Sequence, residues 1–293
     1  MNNLHLLLET PELFYSTIAV LGLIAGSFLN VVIHRLPIMM EREWRRDCEA
    51  FLGLSAGNAP AAPYNLCVPR SSCPQCGHEI SALENIPLLS YLLLRGRCAQ
   101  CRAPIGLRYP LVETITTLLS LAVAWRFGPD WQTAAALLLC WSLISLAFID
   151  FDHQLLPESI TQPLLWLGLA INLSGLLTDQ TSSLIGAMSG YLGLWLVYQA
   201  HRYLRKKEGM GHGDFKLLAA LGAWLGWQML MPLVFIATLL TLTATFAIFG
   251  RRAYDQPIPF GPFLALAGLL VLFWGNEMLD AYWRYLLLQS ETH

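Results

Sequence analysis

Long apolar segments separated by short polar connections constrain the fold of this chain more than any other feature. The first segment runs from about residue 13 to residue 33. A helix of about 20 apolar residues is long enough to cross a hydrocarbon core of roughly 30 Å. The sequence therefore predicts an all-α polytopic membrane protein with about eight transmembrane helices. The other seven spans are expected at roughly 110–126, 131–150, 160–177, 182–201, 215–228, 229–250 and 260–284.

Composition supports a membrane protein and also marks one region that differs from the rest. The chain is 55 % hydrophobic and 13 % charged, against roughly 25 % charged residues in a soluble domain. Between residues 38 and 107, Pro, Cys, Arg and Glu accumulate, and the apolar run at residues 88–94 is too short to span. We therefore predict three parts: a first transmembrane helix (1–37), a small extramembrane domain (38–108) and a seven-helix membrane domain (109–293).

The basic residues predict the orientation, because Lys and Arg accumulate in cytoplasmic loops. With the N terminus outside, eight spans place residues 35–108, 202–216 and 251–252 on the cytoplasmic side. These segments hold 16 of the 18 basic residues, and only Arg126 and Arg284 lie outside. We therefore expect a periplasmic N terminus and a cytoplasmic extramembrane domain.

The break between two spans at residues 227–232 is the boundary that the charges help to place. One long kinked helix is the alternative at this point. It would move residues 251–252 to the outside, so the charge distribution favours two separate helices.

Two pairs of cysteines in the extramembrane domain have the spacing of metal ligands. Cys73-Pro-Gln-Cys76 and Cys98-Ala-Gln-Cys101 are separated by 21 residues, close to the spacing of zinc ribbons. Two such hairpin knuckles direct four thiolates to one point, and Gly77 provides the tight turn that a knuckle favours. We predict a structural Zn(II) site. Two disulfides are the alternative, although they are rare on a reducing cytoplasmic side.

Two aspartates stand where an apolar segment meets a polar loop. Asp150 closes one segment, and Asp214 follows 64 residues later in Gly211-His-Gly-Asp214. An acid at the margin of a membrane helix is costly unless it faces a water-filled cavity or a partner, so a functional site is the default hypothesis. Gly211 and Gly213 allow close backbone approach beside the second acid. The alternative is that both are ordinary helix-end residues that extend into the interface.

A facing pair of carboxylates would share one proton, with one acting as a base on water and the other as an acid on a scissile carbonyl. That is the chemistry of an aspartyl protease. Asp152 competes with Asp150 for the first position. On a continuous helix, residues two apart point about 200° away from each other, so only one of them can face Asp214. Asp150 adjoins the apolar segment, and we predict Asp150 and Asp214 as the catalytic pair, with Gly211 and Gly213 as the supporting loop.

Four motifs in this order and spacing resemble the bacterial type IV prepilin leader peptidase family, whose members are GxGD-type aspartyl proteases of the membrane. The resemblance covers nearly the whole chain and is far more specific than the Gly-x-Gly-Asp motif alone. The motifs are Gly26-Ser-Phe-Leu-Asn-Val-Val-Ile-His-Arg-Leu-Pro37, the paired cysteine knuckles, Asp150-Phe-Asp-His-Gln-Leu-Leu-Pro157 and Gly211-His-Gly-Asp-Phe-Lys216.

The resemblance implies a bifunctional enzyme of the bacterial inner membrane. Such an enzyme cleaves the basic leader of prepilins and pseudopilins after a Gly on the cytoplasmic side. It then methylates the new N-terminal residue with S-adenosylmethionine. The family's catalytic acids fall on Asp150 and Asp214, in agreement with the choice made above. Glu158 departs from the family pattern, which often has Asp after Leu-Pro, but a carboxylate is retained.

The methyltransferase activity has no residues assigned to it by the sequence. A G-x-G-x-x-G turn that would indicate a Rossmann-type nucleoside site is missing from the sequence, so the S-adenosylmethionine-binding residues stay unknown. Prepilins and membrane lipids are the expected partners, and no basic stripe points to nucleic acid. Two other classes remain open: a transporter with the two aspartates as a proton or cation relay, and a scaffold whose zinc domain recruits partners.

Overall fold

The computed structural model describes residues 10–54, 63–205, 211–249 and 258–290. Within those ranges the chain is helical, and its extended segments form only isolated bridges. The all-α prediction is confirmed for this part of the chain. The helices are α1 (Pro11–Phe51), α2 (Leu89–Leu93), α3 (Arg108–Phe127), α4 (Trp131–His153), α5 (Glu158–Ile171), α6 (Gln180–Arg205), α7 (His212–Leu225), α8 (Leu230–Phe249) and α9 (Gly261–Ser290).

The chain divides into two compact units, Met1–Pro129 and Asp130–His293. The first unit contains α1 to α3, and the second contains α4 to α9. Four of the basic residues used in the charge count lie outside the described ranges: Lys206, Lys207, Arg251 and Arg252.

The described helices support the prediction of a membrane protein, whereas the number of spans remains a prediction. Each of the eight predicted segments overlaps a described helix. Four described helices are long and apolar enough to cross a membrane by themselves: Pro11–Phe51, Trp131–His153, Trp227–Ala247 and Gly261–Tyr285.

The predicted break between two spans at residues 227–232 lies close to the end of α7. Gly226 has a φ of +87°, which ends α7, and a 3-10 turn at Trp227–Met229 leads into α8. A positive φ is readily adopted by Gly and interrupts a right-handed helix. The two segments are therefore separate helices in this structure.

In the first unit, α1 packs along α3 through a close backbone approach. A Cβ placed on Gly26 would lie only 2.7 Å from the Cα of Glu113 on α3. Small residues allow such proximity between membrane helices, where van der Waals contact replaces the hydrophobic effect. The Asn30 side chain adds a hydrogen bond of 3.1 Å to the carbonyl of Tyr109.

Helix α1 extends well beyond the apolar segment that predicts it. The sequence places the end of the first span near Pro37, but the helix continues through this proline to Phe51. The buried Arg35 guanidinium donates to the carbonyl of Asn65 at 3.0 Å, and Arg42 lies 4.1 Å from the centre of the Tyr64 ring. The polar extension of α1 therefore holds the loop that leads into the cysteine knuckles.

In the second unit, α7 forms the core. Its residues from Asp214 to Trp224 are buried, with Lys216 half-buried. The indole N–H of Trp224 donates to the carbonyl of Leu164 on α5 at 2.8 Å. The buried Asn172 amide donates to the carbonyl of Ala223 at 2.9 Å. Both of these polar side chains therefore meet a backbone partner, which avoids the cost of an unsatisfied group.

Candidate catalytic and metal sites

Asp150 lies in the last turn of α4 and is buried, with 6 % of its surface exposed. The Gln154 N–H donates to the Asp150 carbonyl at 2.9 Å, and Gln154 has a φ of +53°, which ends the helix. The Asp150 carboxylate accepts a hydrogen bond from the backbone N–H of Gly261, the first residue of α9. This bond fixes the carboxylate against the start of the last helix.

Asp214 is the third residue of α7 and is also buried, with 7 % exposed. Gly211 precedes the helix in an extended conformation, and the Asp214 N–H bonds to its carbonyl at 3.3 Å. Asp214 and Asp150 interact electrostatically, so their carboxylates lie at the same end of the second unit. Two buried acids are thus brought together from positions far apart in the sequence.

Leu156 packs against the segment that carries Asp214 and against the start of α9, which lies beside Asp150. A Cβ placed on Gly213 would lie 2.7 Å from Leu156 Cβ, and one placed on Gly261 would lie 3.2 Å from Leu156 Cδ2. The same hypothetical Cβ on Gly261 would lie 2.5 Å from Asp150 Oδ2. Glycine at both positions therefore leaves the space that Leu156 and Asp150 occupy.

An ion pair connects the start of α5 to α7 beside the acids. Lys216 lies two residues after Asp214, and its Nζ contacts the Glu158 carboxylate. Glu158 is the first residue of α5, where a carboxylate complements the helix dipole. The structure adds a specific partner for it on α7.

Two other polar residues near the acid pair in sequence, Asp152 and His212, have surroundings that differ from those of Asp150 and Asp214. Asp152 is exposed, in contrast to the buried Asp150. His212 packs against two aromatic rings, with ring centres 5.2 Å from Tyr198 and 5.5 Å from Phe215. His212 therefore takes part in the aromatic packing at the start of α7.

The four predicted cysteines form one cluster in the first unit. Cys73 Sγ lies 3.8 Å from Cys101 Sγ, Cys76 Sγ lies 3.9 Å from Cys98 Sγ, and all four sulfur atoms lie within 4.8 Å of one another. A disulfide requires about 2.05 Å, so the four thiols are free. A zinc ion with tetrahedral coordination and Zn–S bonds of about 2.3 Å holds its sulfur ligands roughly 3.8 Å apart. The cluster could therefore hold a metal such as zinc.

The two cysteine knuckles repeat the same backbone pattern. The N–H of Gly77 donates to the Cys73 carbonyl at 2.9 Å, and the N–H of Arg102 donates to the Cys98 carbonyl at 3.1 Å. Gly77 and Arg102 both have a positive φ, at +71° and +61°. The tight turn predicted at Gly77 is present, and the second knuckle makes the same turn with an arginine.

The electrostatics of the cysteine cluster favour a bound cation. Backbone N–H groups of Cys76 and Gln75 lower the pKa of the Cys73 thiol to about 6. The backbone N–H of His78 acts to lower the pKa of Cys76, but lost hydration and the other three thiols raise it to about 11. Lost hydration and the neighbouring thiols thus oppose a thiolate at Cys76, and a bound positive ion would relieve this.

Sequence reasoning missed three features around the acid pair: the Gly261 N–H, the Leu156 contacts and the Lys216–Glu158 ion pair. Each joins segments that are distant in sequence. A signal was available for Gly261, because the proline-rich segment before α9 predicts a constrained helix start near a possible substrate path. Nothing in the local pattern of Leu156 or Lys216 indicates their partners.

The fold and the sites define a polytopic helical membrane protein with a buried pair of aspartates and a four-cysteine cluster. Residues 20–127 match the model of the bacterial Peptidase A24 N-terminal domain, and residues 137–246 match that of the type IV leader peptidase family. The chain belongs to the type IV leader peptidase family, which confirms the resemblance seen in the sequence.

Curated relatives cover almost the full chain. A protein of Aeromonas hydrophila is 53 % identical over 93 % of this chain and 94 % of its own length. One of Stutzerimonas stutzeri is 50 % identical over 97 % and 99 %, and one of Pseudomonas aeruginosa is 49 % identical over 96 % and 98 %. All three are named prepilin leader peptidase/N-methyltransferase. No solved structure matches the chain significantly.

Proposed function

We propose that this protein is a membrane aspartyl endopeptidase that removes the leader of type IV prepilins and pseudopilins and then methylates the new N terminus. The observation that carries the peptidase activity is the pair of buried carboxylates, Asp150 and Asp214, at one end of the second unit. Relatives at about half identity over nearly the whole chain carry both activities in their names.

We further propose that eight helices, α1 and α3 to α9, cross the bacterial inner membrane. The N terminus then lies in the periplasm, and the cysteine cluster and the acid pair lie on the cytoplasmic side. The distribution of basic residues supports this orientation. A prepilin has an apolar helix that can lie beside these spans while its basic leader stays in the cytoplasm. The scissile bond then reaches acids held at the membrane face.

In the proposed mechanism, Asp150 and Asp214 share one proton. The ionised carboxylate removes a proton from water as the water oxygen bonds to the scissile carbonyl carbon, and the protonated carboxyl gives its proton to the carbonyl oxygen. The C–N bond then breaks as the carboxyl that took the water proton gives it to the leaving nitrogen. A hydroxyl of the tetrahedral intermediate returns its proton to the other carboxylate, so that the carbonyl of the new acid forms and the pair again holds one proton. The Gly261 N–H supports this role because it orients the Asp150 carboxylate.

The cofactors have separate roles in this proposal. Zinc held by Cys73, Cys76, Cys98 and Cys101 stabilises the fold of its module, since a four-thiolate site leaves no position open for substrate. S-adenosylmethionine supplies the methyl group. The described residues form no strand-turn-helix nucleoside site of the Rossmann type, so its binding residues stay unassigned.

The test is a cleavage assay with the purified, membrane-reconstituted enzyme and a prepilin. Mass spectrometry reports loss of the leader and, with S-adenosylmethionine, the gain of one methyl group. We expect Asp150→Asn and Asp214→Asn to abolish cleavage, and Asp152→Asn, as the matched control, to retain part of it. Full activity in either of the first two variants would contradict the mechanism. A transporter with the acids as a relay would show no cleavage even in the wild type.

A further inference from the structure

The short apolar run at residues 88–94 has no role in the activities proposed above. It forms α2, whose leucines face outward. Leu92 and Leu93 are 71 % and 74 % exposed. With Leu89, which is 50 % exposed and lies three and four residues before them on the same face of α2, they form what we call the leucine patch: Leu89, Leu92 and Leu93. Single exposed leucines are common on proteins, but a group of this kind in a small module indicates an interaction surface.

Two hydrogen bonds hold α2 beside the start of α3. The N–H of Leu88, just before α2, donates to the Glu113 carboxylate at 2.8 Å. After α2, the N–H of Ile105 donates to the Gly96 carbonyl at 2.8 Å, which brings the chain back toward α3. Glu113 is buried, so this anchor is shielded from competing water. The leucine patch is thus fixed relative to α3 and belongs to the same compact unit.

The anchor also sets the depth of the patch. Glu113 lies five residues after the start of α3 at Arg108, which is about 7.5 Å along the helix axis. On the proposed span of α3, which begins near residue 110, Glu113 lies just inside the membrane boundary. A segment bonded to Glu113 must lie at the level of the headgroups, where amphipathic segments bury apolar side chains.

The arginines next to the leucine patch also suit a position at the membrane surface. Arg95 and Arg97 follow α2 directly, and both are exposed. Basic side chains at the membrane surface are attracted to anionic headgroups, while leucines beside them enter the acyl region. Exposed leucines flanked by arginines are the pattern of an interfacial segment.

We propose that the leucine patch docks the cysteine module onto the surface of a bilayer that contains anionic phospholipids. The occupant of the surface is lipid, not a second protein. Docking keeps the module in the plane of the membrane, beside the point where α3 enters it. The proposal depends on the membrane insertion of α3, but not on the peptidase activity.

The test places an environment-sensitive fluorescent amino acid at position 93 of the full-length protein. The protein is reconstituted in vesicles of phosphatidylethanolamine and phosphatidylglycerol, with or without brominated acyl chains. We expect brominated lipid to quench the probe at least about twofold more at position 93 than at position 75, since the latter replaces the exposed Gln75 in a knuckle. Size-exclusion profiles and circular dichroism equal to those of the wild type show that the labelled proteins are folded.

A second arm examines the charges. Arg95→Gln with Arg97→Gln should reduce quenching at position 93 in phosphatidylglycerol vesicles, whereas Arg70→Gln, at another exposed arginine, should leave it unchanged. Equal quenching at positions 93 and 75 overturns the proposal. Emission at position 93 that responds to added prepilin or to protein density, and not to brominated lipid, also overturns it and identifies a protein as the occupant.

Discussion

Leu156 packs against Gly213, the residue that immediately precedes Asp214. A Cβ at position 213 would lie 2.7 Å from Leu156 Cβ, which is closer than carbon atoms approach without displacement. Leu156 also contacts the start of α9, whose Gly261 N–H holds Asp150. One side chain from the loop after α4 therefore lies against both segments that position the acids.

The first prediction concerns Gly213→Ala, which should displace the start of α7 and move Asp214 relative to Asp150. Misplacement by about 1 Å can lower a rate by on the order of a hundredfold, so we expect cleavage to fall about tenfold to a hundredfold. Leu156→Gly added to this variant removes the Cβ that causes the clash and should restore part of the activity. Leu156→Gly alone is the control for the lost contact. No gain in kcat of the double variant over Gly213→Ala would show that Leu156 does not set the position.

The second prediction concerns the ion pair between Lys216 and Glu158. Lys216→Ala should lower kcat several-fold with little change in KM, because the pair connects α5 to the helix that carries Asp214. The effect should be modest, since the Glu158 side chain is 67 % exposed and exposed ion pairs contribute about 0–1 kcal/mol. Exchanging the charges, with Lys216→Glu and Glu158→Lys together, should recover activity lost by either change alone. If the loss of activity in the double variant equals the losses of the two single variants combined, the two residues are not coupled.

The third prediction concerns the metal. Elemental analysis of the purified protein should give about one zinc per chain. Cys73→Ser should lose the metal and lower the melting temperature of the protein, because metal binding is coupled to folding. Cys67→Ser, at an exposed cysteine outside the cluster, is the matched control and should keep both properties. Wild-type protein with four free thiols and no zinc would remove the metal from the proposal.

The fourth prediction concerns the second cysteine knuckle, where Arg102 has a φ of +61°. A left-handed conformation costs a residue with a Cβ about 1–2 kcal/mol, and Gly avoids this cost. Arg102→Gly should therefore slow the release of zinc to a chelator several-fold. Arg102→Ala separates backbone strain from charge, since it removes the guanidinium but keeps the Cβ. Equal release rates for the Gly and Ala variants would mean that backbone strain at this position has no effect.

Much of the architecture follows from local patterns in the sequence. Apolar length predicts the helices, because a helix in a membrane must satisfy its own backbone groups. The paired Cys-x-x-Cys motifs predict the cysteine cluster, since each knuckle orients its own two thiols. The choice of Asp150 over Asp152 follows from which residue adjoins the apolar run, and the structure places Asp150 in the buried position. The catalytic roles of Asp150 and Asp214 stay a prediction.

Helix ends and packing partners are less accessible to the same reasoning. The apolar segment of α1 stops before Pro37, yet the helix continues, because Arg35 and Arg42 find partners in a loop that hydropathy does not describe. The positive φ at Arg102 is likewise unexpected from its residue type. It follows from the hydrogen bond within the second knuckle, which has the same pattern as the one within the first.

The sequence by itself predicted the helical membrane class, the two cysteine knuckles and the two acids, because each of these is marked by a pattern within its own short segment. Only the tertiary structure decided that Gly261 donates to Asp150 and that Leu156 packs against both Gly213 and Gly261. These contacts depend on how the helices are rotated and packed against each other. The periodicity of a single helix carries no information about the neighbour that its buried face will meet.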